Sequence, residues 1–187
     1  VSLGMAFIFN LELFLILLSY FLLNIAYSLK LKHIAIVDIF IIGICFVMRL
    51  FAGTSVIIAS LSMWIIIMTF LLSLFLAIAK RRDDVLLSTQ GKETRKNIHG
   101  YNLEFANALL VFMAGVIVVS YILYTVSPDV IARLHTQHLY LTAFFVILGI
   151  TKYMQITFVE EDSGSPTKIF LKNRFLQITI LSWLISF

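Results

Sequence analysis

The sequence predicts an all-α, polytopic transmembrane helical bundle. Three observations predict it: a large apolar excess, the recurrence of apolar runs long enough to span a bilayer, and the confinement of charge to the connections between them. Of the 187 residues, 61% are hydrophobic and 13% charged, and the mean hydropathy is +1.02. An ordinary soluble domain carries roughly a quarter charged residues. A soluble core of this length could not cover so many Phe, Ile and Leu side chains without leaving large apolar patches in water. The single Cys45 excludes an internal disulfide framework, and no zinc-type spacing occurs.

A helix needs about 20 residues to cross the hydrocarbon. Leu13 to Ala26 is a little short but extends at either end, whereas Ile34 to Ala52, Leu61 to Ala79, Ala106 to Val126 and Leu139 to Thr157 reach that length. Phe175 to Phe187 begins a sixth run, and Val1 to Phe9 reads as the tail of an earlier helix ended near Asn10 and Glu12. Backbone groups in lipid must bond within their own segment, so these runs are helices and not open strands. Ser163-Gly164-Ser165-Pro166 is the one loop-like cluster of small residues, and Pro166 is expected to stop any helix there. The opening at Val1 lacks a basic leader and a small-residue cleavage site, and the last residues, Trp183 to Phe187, lie inside an apolar run. Both ends read as cuts through a longer protein, with residues 1–187 forming a single transmembrane domain.

Charge orients the bundle. Twelve of the 14 Lys and Arg residues, all but Arg49 and Arg133, lie in Tyr27 to His33, Lys80 to Phe105 and Lys152 to Arg174, or at the helix ends beside them. The connection Gly53 to Ser60 is uncharged, and Ser127 to His138 carries only Asp129 and Arg133. Counting crossings places the three basic connections on one side, which the positive-inside rule makes cytoplasmic. The expected location is a cell (inner) membrane, multi-pass, with any active site facing the cytoplasm. The connections lack the basic, aromatic-interleaved stripe that nucleic acid favours. Anionic lipid head groups or a phosphorylated substrate are the partners this charge suits.

Lys80-Arg81-Arg82-Asp83-Asp84 follows directly on an apolar run. If the helix continues, Lys80 and Arg81 each share a face with Asp84. Adjacent carboxylates at Asp83 and Asp84 can hold Mg²⁺, which is bound through one or two carboxylates plus substrate phosphates. The neighbouring cations can neutralise a diphosphate leaving group. The competing reading is a cytoplasmic anchor whose charges pair with one another. Asp38 and Arg49 sit inside an apolar run, where ionisable residues usually face the protein interior or a water-filled cavity. Eleven residues, close to three turns, let both point the same way, but roughly 16 Å of rise keeps them from pairing directly. Asp38 can also be a first-turn residue at the interface, and Arg49 can snorkel outward. Lys32 is placed to grip a phosphate and Tyr27 to hydrogen-bond substrate, although both also suit an ordinary interface. Arg95 and Asn102 are seven apart, on one face if helical, and with Tyr101 can close over a site. His135 and His138 fall in the sparsely charged connection and read as surface residues.

Together these segments resemble the UbiA superfamily of membrane prenyltransferases, most of all its decaprenyl-phosphate phosphoribosyltransferase branch. The matching pieces are Tyr27-Ser28 with Leu31-Lys32-His33, Asp38, Phe46 to Leu50 with Ala52-Gly53, and Leu74 to Ala77 running into Lys80-Arg81-Arg82, then Arg95, Tyr101-Asn102 and Gly164-Ser165-Pro166. The resemblance implies a bundle of nine transmembrane helices around a cavity open to the cytoplasm and to lipid. This chain would be its C-terminal two-thirds, with the N-terminal helices missing. It also implies two acidic motifs that bind a diphosphate through Mg²⁺. The first would lie upstream of Val1, and the second corresponds to Lys80 to Asp84, with Asp84 where the branch usually carries Glu. Lys172-Asn173-Arg174 replaces a common Asp, and Lys152 a common Arg.

On this reading a polyprenyl phosphate oxygen attacks the anomeric carbon of 5-phosphoribosyl diphosphate and diphosphate leaves. Lys80 and Arg81 would contact phosphate, and Asp83 and Asp84 the metal. Tyr27, Lys32, Asp38, Arg49, Arg95 and Tyr101 would bind the substrates. Membrane lipid is the remaining partner. The alternatives are a UbiA-type prenyltransferase acting on an aromatic or other acceptor, and a non-catalytic membrane subunit or transporter segment. The last would want paired broken helices near mid-membrane, for which Gly43, Gly115 and Gly149 are too scattered.

Overall fold

A computed structural model of the chain describes residues 10–57, 61–90, 100–160 and 166–187, and among these the secondary structure is helical, without a strand. The elements are α1 (Leu11–Leu29), α2 (Val37–Ile57), α3 (Met63–Thr89), α4 (Leu103–Thr125), α5 (Pro128–Leu134), α6 (Ala143–Phe158), α7 (Pro166–Lys172) and α8 (Arg174–Ile185). Short 3-10 turns at Leu31–His33 and Leu139–Thr142 lead into α2 and α6. Helices α1 to α4 and the run Leu139–Phe158 are long and apolar enough to cross a membrane, and α8 is apolar but shorter. The all-α, polytopic expectation is met. The Val1–Phe9 tail and the Gly164-Ser165 pair lie outside the described residues.

Three helices begin with the same device. The side chain of Asn10 accepts the N–H of Glu12 at 2.9 Å, that of Asn102 the N–H of Phe105 at 2.7 Å, and that of Asn173 the N–H of Leu176 at 3.2 Å. Each satisfies one of the donors that a helix start leaves without an internal partner. Asn102 is an extended cap and Gly100 a turn, and Arg95, the other member of the expected Arg95–Asn102 face, lies outside the described residues.

Several boundaries differ from the sequence reading. Helix α2 runs on to Ile57 through residues expected to form a loop. Thr54 Oγ1 bonds back to the carbonyls of Leu50 and Phe51, at 3.2 and 3.1 Å, and Ser55 Oγ to that of Ala52 at 3.0 Å. Hydroxyls satisfied this way add no unpaired polar group to a span. Helix α3 likewise continues through Lys80–Asp84 to Thr89. Its 27 residues give about 40 Å, some 10 Å more than the hydrocarbon thickness. Pro166 starts α7 instead of ending a helix, because a first-turn proline loses only an N–H that would have had no helical partner. A further short helix, α5, occupies the connection expected to be irregular, again with proline at its start.

The described residues form two compact units, one reaching to Ala77 and including Gly100 and Tyr101, the other running from Ile78 through the remaining helices. In the first, α1 and α2 form an antiparallel hairpin. The ring of Phe70, early in α3, lies on the backbone of Gly43, where an added Cβ would meet Phe70 Cε2 at 2.8 Å. Phe70 also meets Phe40 edge-on, at 5.8 Å between centroids. No residue of α1 is buried. Leu15, Phe21, Leu22 and Ile25 face outward, as a lipid-facing helix allows.

In the second unit α4 buries Ala106, Leu110, Met113, Ala114, Ile117 and Tyr121, a stripe at the three- and four-residue spacing of a single helix face. Its other side exposes Val111, Phe112, Val119 and Leu123. At the far end of α4, Tyr121 Oη receives the indole N–H of Trp183 at 2.7 Å and shares a 2.7 Å hydrogen bond with Thr142 Oγ1. That hydroxyl ties α4 to α8 and to the turn before α6.

Candidate functional site

The first unit holds Tyr27, Lys32, Asp38, Arg49 and Tyr101. Tyr27 lies in the last turns of α1 and Lys32 in the turn that follows, both partly exposed. Asp38 is in the first turn of α2 and is 1% exposed. A buried carboxylate is costly unless bonded. Here Tyr101 Oη donates to Asp38 Oδ1 at 2.8 Å and accepts the backbone N–H of Ile36 at 2.8 Å. The backbone at this corner is unusual. Ile36 has φ 70° and Gly100 φ 99°. A β-branched residue in the left-handed region is a genuine outlier, held by the groups around it. At Gly100 an added Cβ would come within 2.7 Å of Ala35 Cβ. The structure therefore brings two of the predicted substrate-binding residues, Asp38 and Tyr101, together.

Arg49 reaches α1 and a neighbouring ring of its own helix. It is exposed, donates to Tyr20 Oη from Nε at 3.2 Å and from Nη2 at 2.7 Å, and stacks over Phe46 with Cζ 4.9 Å from the ring centroid. Asp38 and Arg49 are not paired with each other. Each has a tyrosine hydroxyl instead. Tyr20 carried no signal in the sequence beyond being a polar-tipped residue in an apolar run. Arg95 lies outside the described residues.

The second unit holds the charged end of α3. Lys80 is exposed, whereas Arg81 and Arg82 are 5% and 3% exposed and Asp83 and Asp84 partly exposed. Arg81 Nη1 pairs with Asp84 Oδ2 at 2.9 Å, one turn along the helix, as continuation of the helix predicts. Arg82 reaches other helices. Its Nε donates to Asn107 Oδ1 on α4 at 2.7 Å, and its Cζ lies 5.0 Å from the ring centroid of Phe158 at the end of α6. Elsewhere on α6, Lys152 Nζ donates to Gln155 Oε1 at 2.9 Å and pairs with Glu160 Oε1 at 3.4 Å. Asn107 was not among the sequence candidates, and Arg82 entered only as one cation of the Lys80–Asp84 cluster. The available signal was Asn107, an amide inside an apolar span, where polar side chains are usually functional or bonded.

The donor set suits one kind of metal binding only. Successive residues on a helix point about 100° apart, so Asp83 and Asp84 diverge, and Asp84 commits Oδ2 to Arg81. No group of three or more His, Cys, Asp or Glu side chains comes together among the described residues. These residues fit a cation held mainly by substrate phosphate oxygens, as Mg²⁺ commonly is, and do not make an all-protein cage. His135 and His138 are exposed, as expected.

No protein-family model matches the chain. It is 29% identical over 179 residues to the decaprenyl-phosphate phosphoribosyltransferase of Mycolicibacterium smegmatis, covering 92% of this chain and 56% of that protein. It is 26% identical over 189 residues to the protein of the same name from Mycobacterium tuberculosis, covering 98% of this chain and 60% of the relative. The corresponding protein of Corynebacterium glutamicum is 25% identical over 165 residues, 88% of this chain and 49% of its own length. The chain thus spans about half the length of the curated relatives it matches, and the resemblance to that branch extends over most of the chain.

Proposed function

From this likeness to decaprenyl-phosphate phosphoribosyltransferases, we propose that the protein containing this chain transfers the 5-phosphoribosyl group from 5-phosphoribosyl diphosphate to a polyprenyl phosphate. A phosphate oxygen of the lipid bonds to the anomeric carbon, the bond from that carbon to diphosphate breaks, and diphosphate departs with the bonding electrons. One observation carries the reading. At the end of an apolar span, Arg81 and Asp84 are already paired and Lys80 stands exposed beside them. This is a cationic group with a carboxylate in reach, the pairing a metal-chelated diphosphate needs.

In this mechanism Lys80 and Arg81 hold the diphosphate as it gains charge, the electrostatic help that matters most when fixed in advance. Asp83 and Asp84 would hold Mg²⁺, which when bound neutralises phosphate charge. Arg81 holds the Asp84 carboxylate in place until substrate arrives. Lys32, Arg49 and Arg95 serve the sugar or lipid phosphate, and Tyr27 a hydrogen bond to substrate. Asp38 and Tyr101, bonded to each other, line the start of α2 beside the substrate. The prenyl tail lies along apolar helix faces, each buried CH₂ contributing roughly 0.8 kcal/mol. The basic connections face the cytoplasm of a cell membrane, where a soluble sugar phosphate reaches them.

The test supplies membranes carrying the whole protein with 5-phosphoribosyl diphosphate labelled in the ribose, Mg²⁺ and a polyprenyl phosphate. Label passing into the organic phase, dependent on the lipid phosphate, is expected. Absence of a lipid-soluble product overturns the reading. Consumption of a prenyl diphosphate with an aromatic acceptor would replace it by prenyl transfer.

A further inference from the structure

The charged end of α3 contains two buried guanidiniums with different partners. Arg81 bonds within its own helix, to Asp84. Arg82 reaches outward, to the amide of Asn107 on α4 and over the ring of Phe158 on α6. A planar fork on a helix cannot meet an acceptor on one neighbour and an aromatic face on another unless the helix stands at one rotation. We propose that Arg82 is a positioning residue. Its guanidinium fixes the rotation of the last turns of α3 against α4 and α6, and thereby sets where Lys80, Arg81 and Asp84 point. The consequence for catalysis rests on the proposed phosphoribosyl transfer, whereas the structural role does not.

The chemistry of the contacts supports this assignment. Arg82 is 3% exposed, so its charge is out of water and is kept by neighbours instead of being offered to a ligand. Arginine suits such a place because its donors form a rigid plane that bonds at the edge and stacks on the face. Lysine offers a point charge on a flexible stem and does neither. Asn107 presents its Oδ1 from the second turn of α4, a helix whose start is pinned by the Asn102 cap. Phe158 closes α6, the same helix that carries Lys152. The brace therefore reads two fixed helix ends and transmits their position to the neighbouring residues of α3. A misplacement of only about 1 Å in a reacting group can cost roughly a hundredfold in rate.

The experiment uses the whole protein in membranes, with Arg82→Lys, Asn107→Leu and Asn107→Asp, the last keeping an oxygen acceptor in place. Expected is a fall in kcat of roughly tenfold to a hundredfold for Arg82→Lys and Asn107→Leu, with KM for 5-phosphoribosyl diphosphate little changed. Asn107→Asp should recover most of the rate, and the double variant Arg82→Lys/Asn107→Leu should be no worse than the singles. A rise in KM with kcat retained means Arg82 touches substrate and overturns the proposal. So does an unchanged kcat in the folded fraction. A second measurement needs no turnover. Val85 is 5% exposed on the same turns of α3. In a Cys45→Ala background, Val85→Cys should react slowly with a water-soluble maleimide. Adding Asn107→Leu should make it roughly tenfold faster by freeing the helix to rotate, and Asn107→Asp should restore the slow rate. Equal rates in all three overturn the brace. Failure of the unaltered protein to transfer phosphoribose overturns the proposed function, and the maleimide rates then decide the brace by themselves.

Discussion

The two regions that hold the charged residues of this chain satisfy them in opposite ways. In α2, Asp38 and Arg49 are each bonded to a tyrosine hydroxyl, Tyr101 and Tyr20. In α3, Arg81 is bonded to a carboxylate and Arg82 to an amide on another helix. These hydroxyl bonds fix the geometry of both α2 side chains. At the end of α3 the Arg81–Asp84 pair is neutral as a unit and can open toward an incoming phosphate or cation. The first arrangement ties side chains to tyrosines, whereas the second places an ion pair where the proposed site lies.

Removing a carboxylate from the second arrangement tests this difference most severely. Asp84→Asn in the whole protein should reduce phosphoribosyl transfer by roughly a hundredfold or more, the scale of losing one electrostatic group aimed at a reacting centre. Membrane insertion should be unchanged. Activity and insertion measured on the same membranes separate the two, and retained transfer would remove Asp84 from the reaction. The tyrosine in the first arrangement should act on stability instead. Tyr101→Phe deletes a bond to a buried carboxylate and one from the Ile36 N–H, at a cost of about 2–3 kcal/mol, read from unfolding in mixed micelles. A stable Tyr101→Phe protein that loses activity would move Tyr101 back to the substrate. The smallest effect belongs to the exposed cation. Arg49→Lys gives up the stack on Phe46 and one of two bonds to Tyr20, about 0.5–1 kcal/mol at an exposed site. Unfolding in mixed micelles reads this change, and a loss of stability several times larger would show that Arg49 is held by more than Tyr20 and Phe46.

The helices were legible because lipid forces the backbone to bond internally, so a long apolar run permits almost nothing else. Their ends were not. Thr54 and Ser55 read as loop residues by composition, yet their hydroxyls fold back onto carbonyls and let α2 continue. Pro166 reads as a breaker, yet at a first turn it is a starter. The Arg81–Asp84 pair followed from helical spacing alone. The difference between Arg81 and Arg82 did not, since it depends on which neighbours α3 meets when packed. The Asp38–Tyr101 bond joins residues 63 apart, a separation no local pattern encodes. The left-handed Ile36 was equally hidden, because nothing in an isoleucine suggests φ 70°.

That 63-residue separation also sets an order of events during synthesis. A ribosome adding about 5–20 residues per second delivers Asp38 several seconds before Tyr101 exists. The α1–α2 hairpin therefore leaves the insertion machinery with its carboxylate still lacking this hydroxyl. Charge at the head of α2 favours holding that end at the aqueous boundary until the start of α4 arrives. The tyrosine then acts as a late bolt. It closes the entrance of α2 only after α3 has been made, so early spans wait on a later one for their final seating.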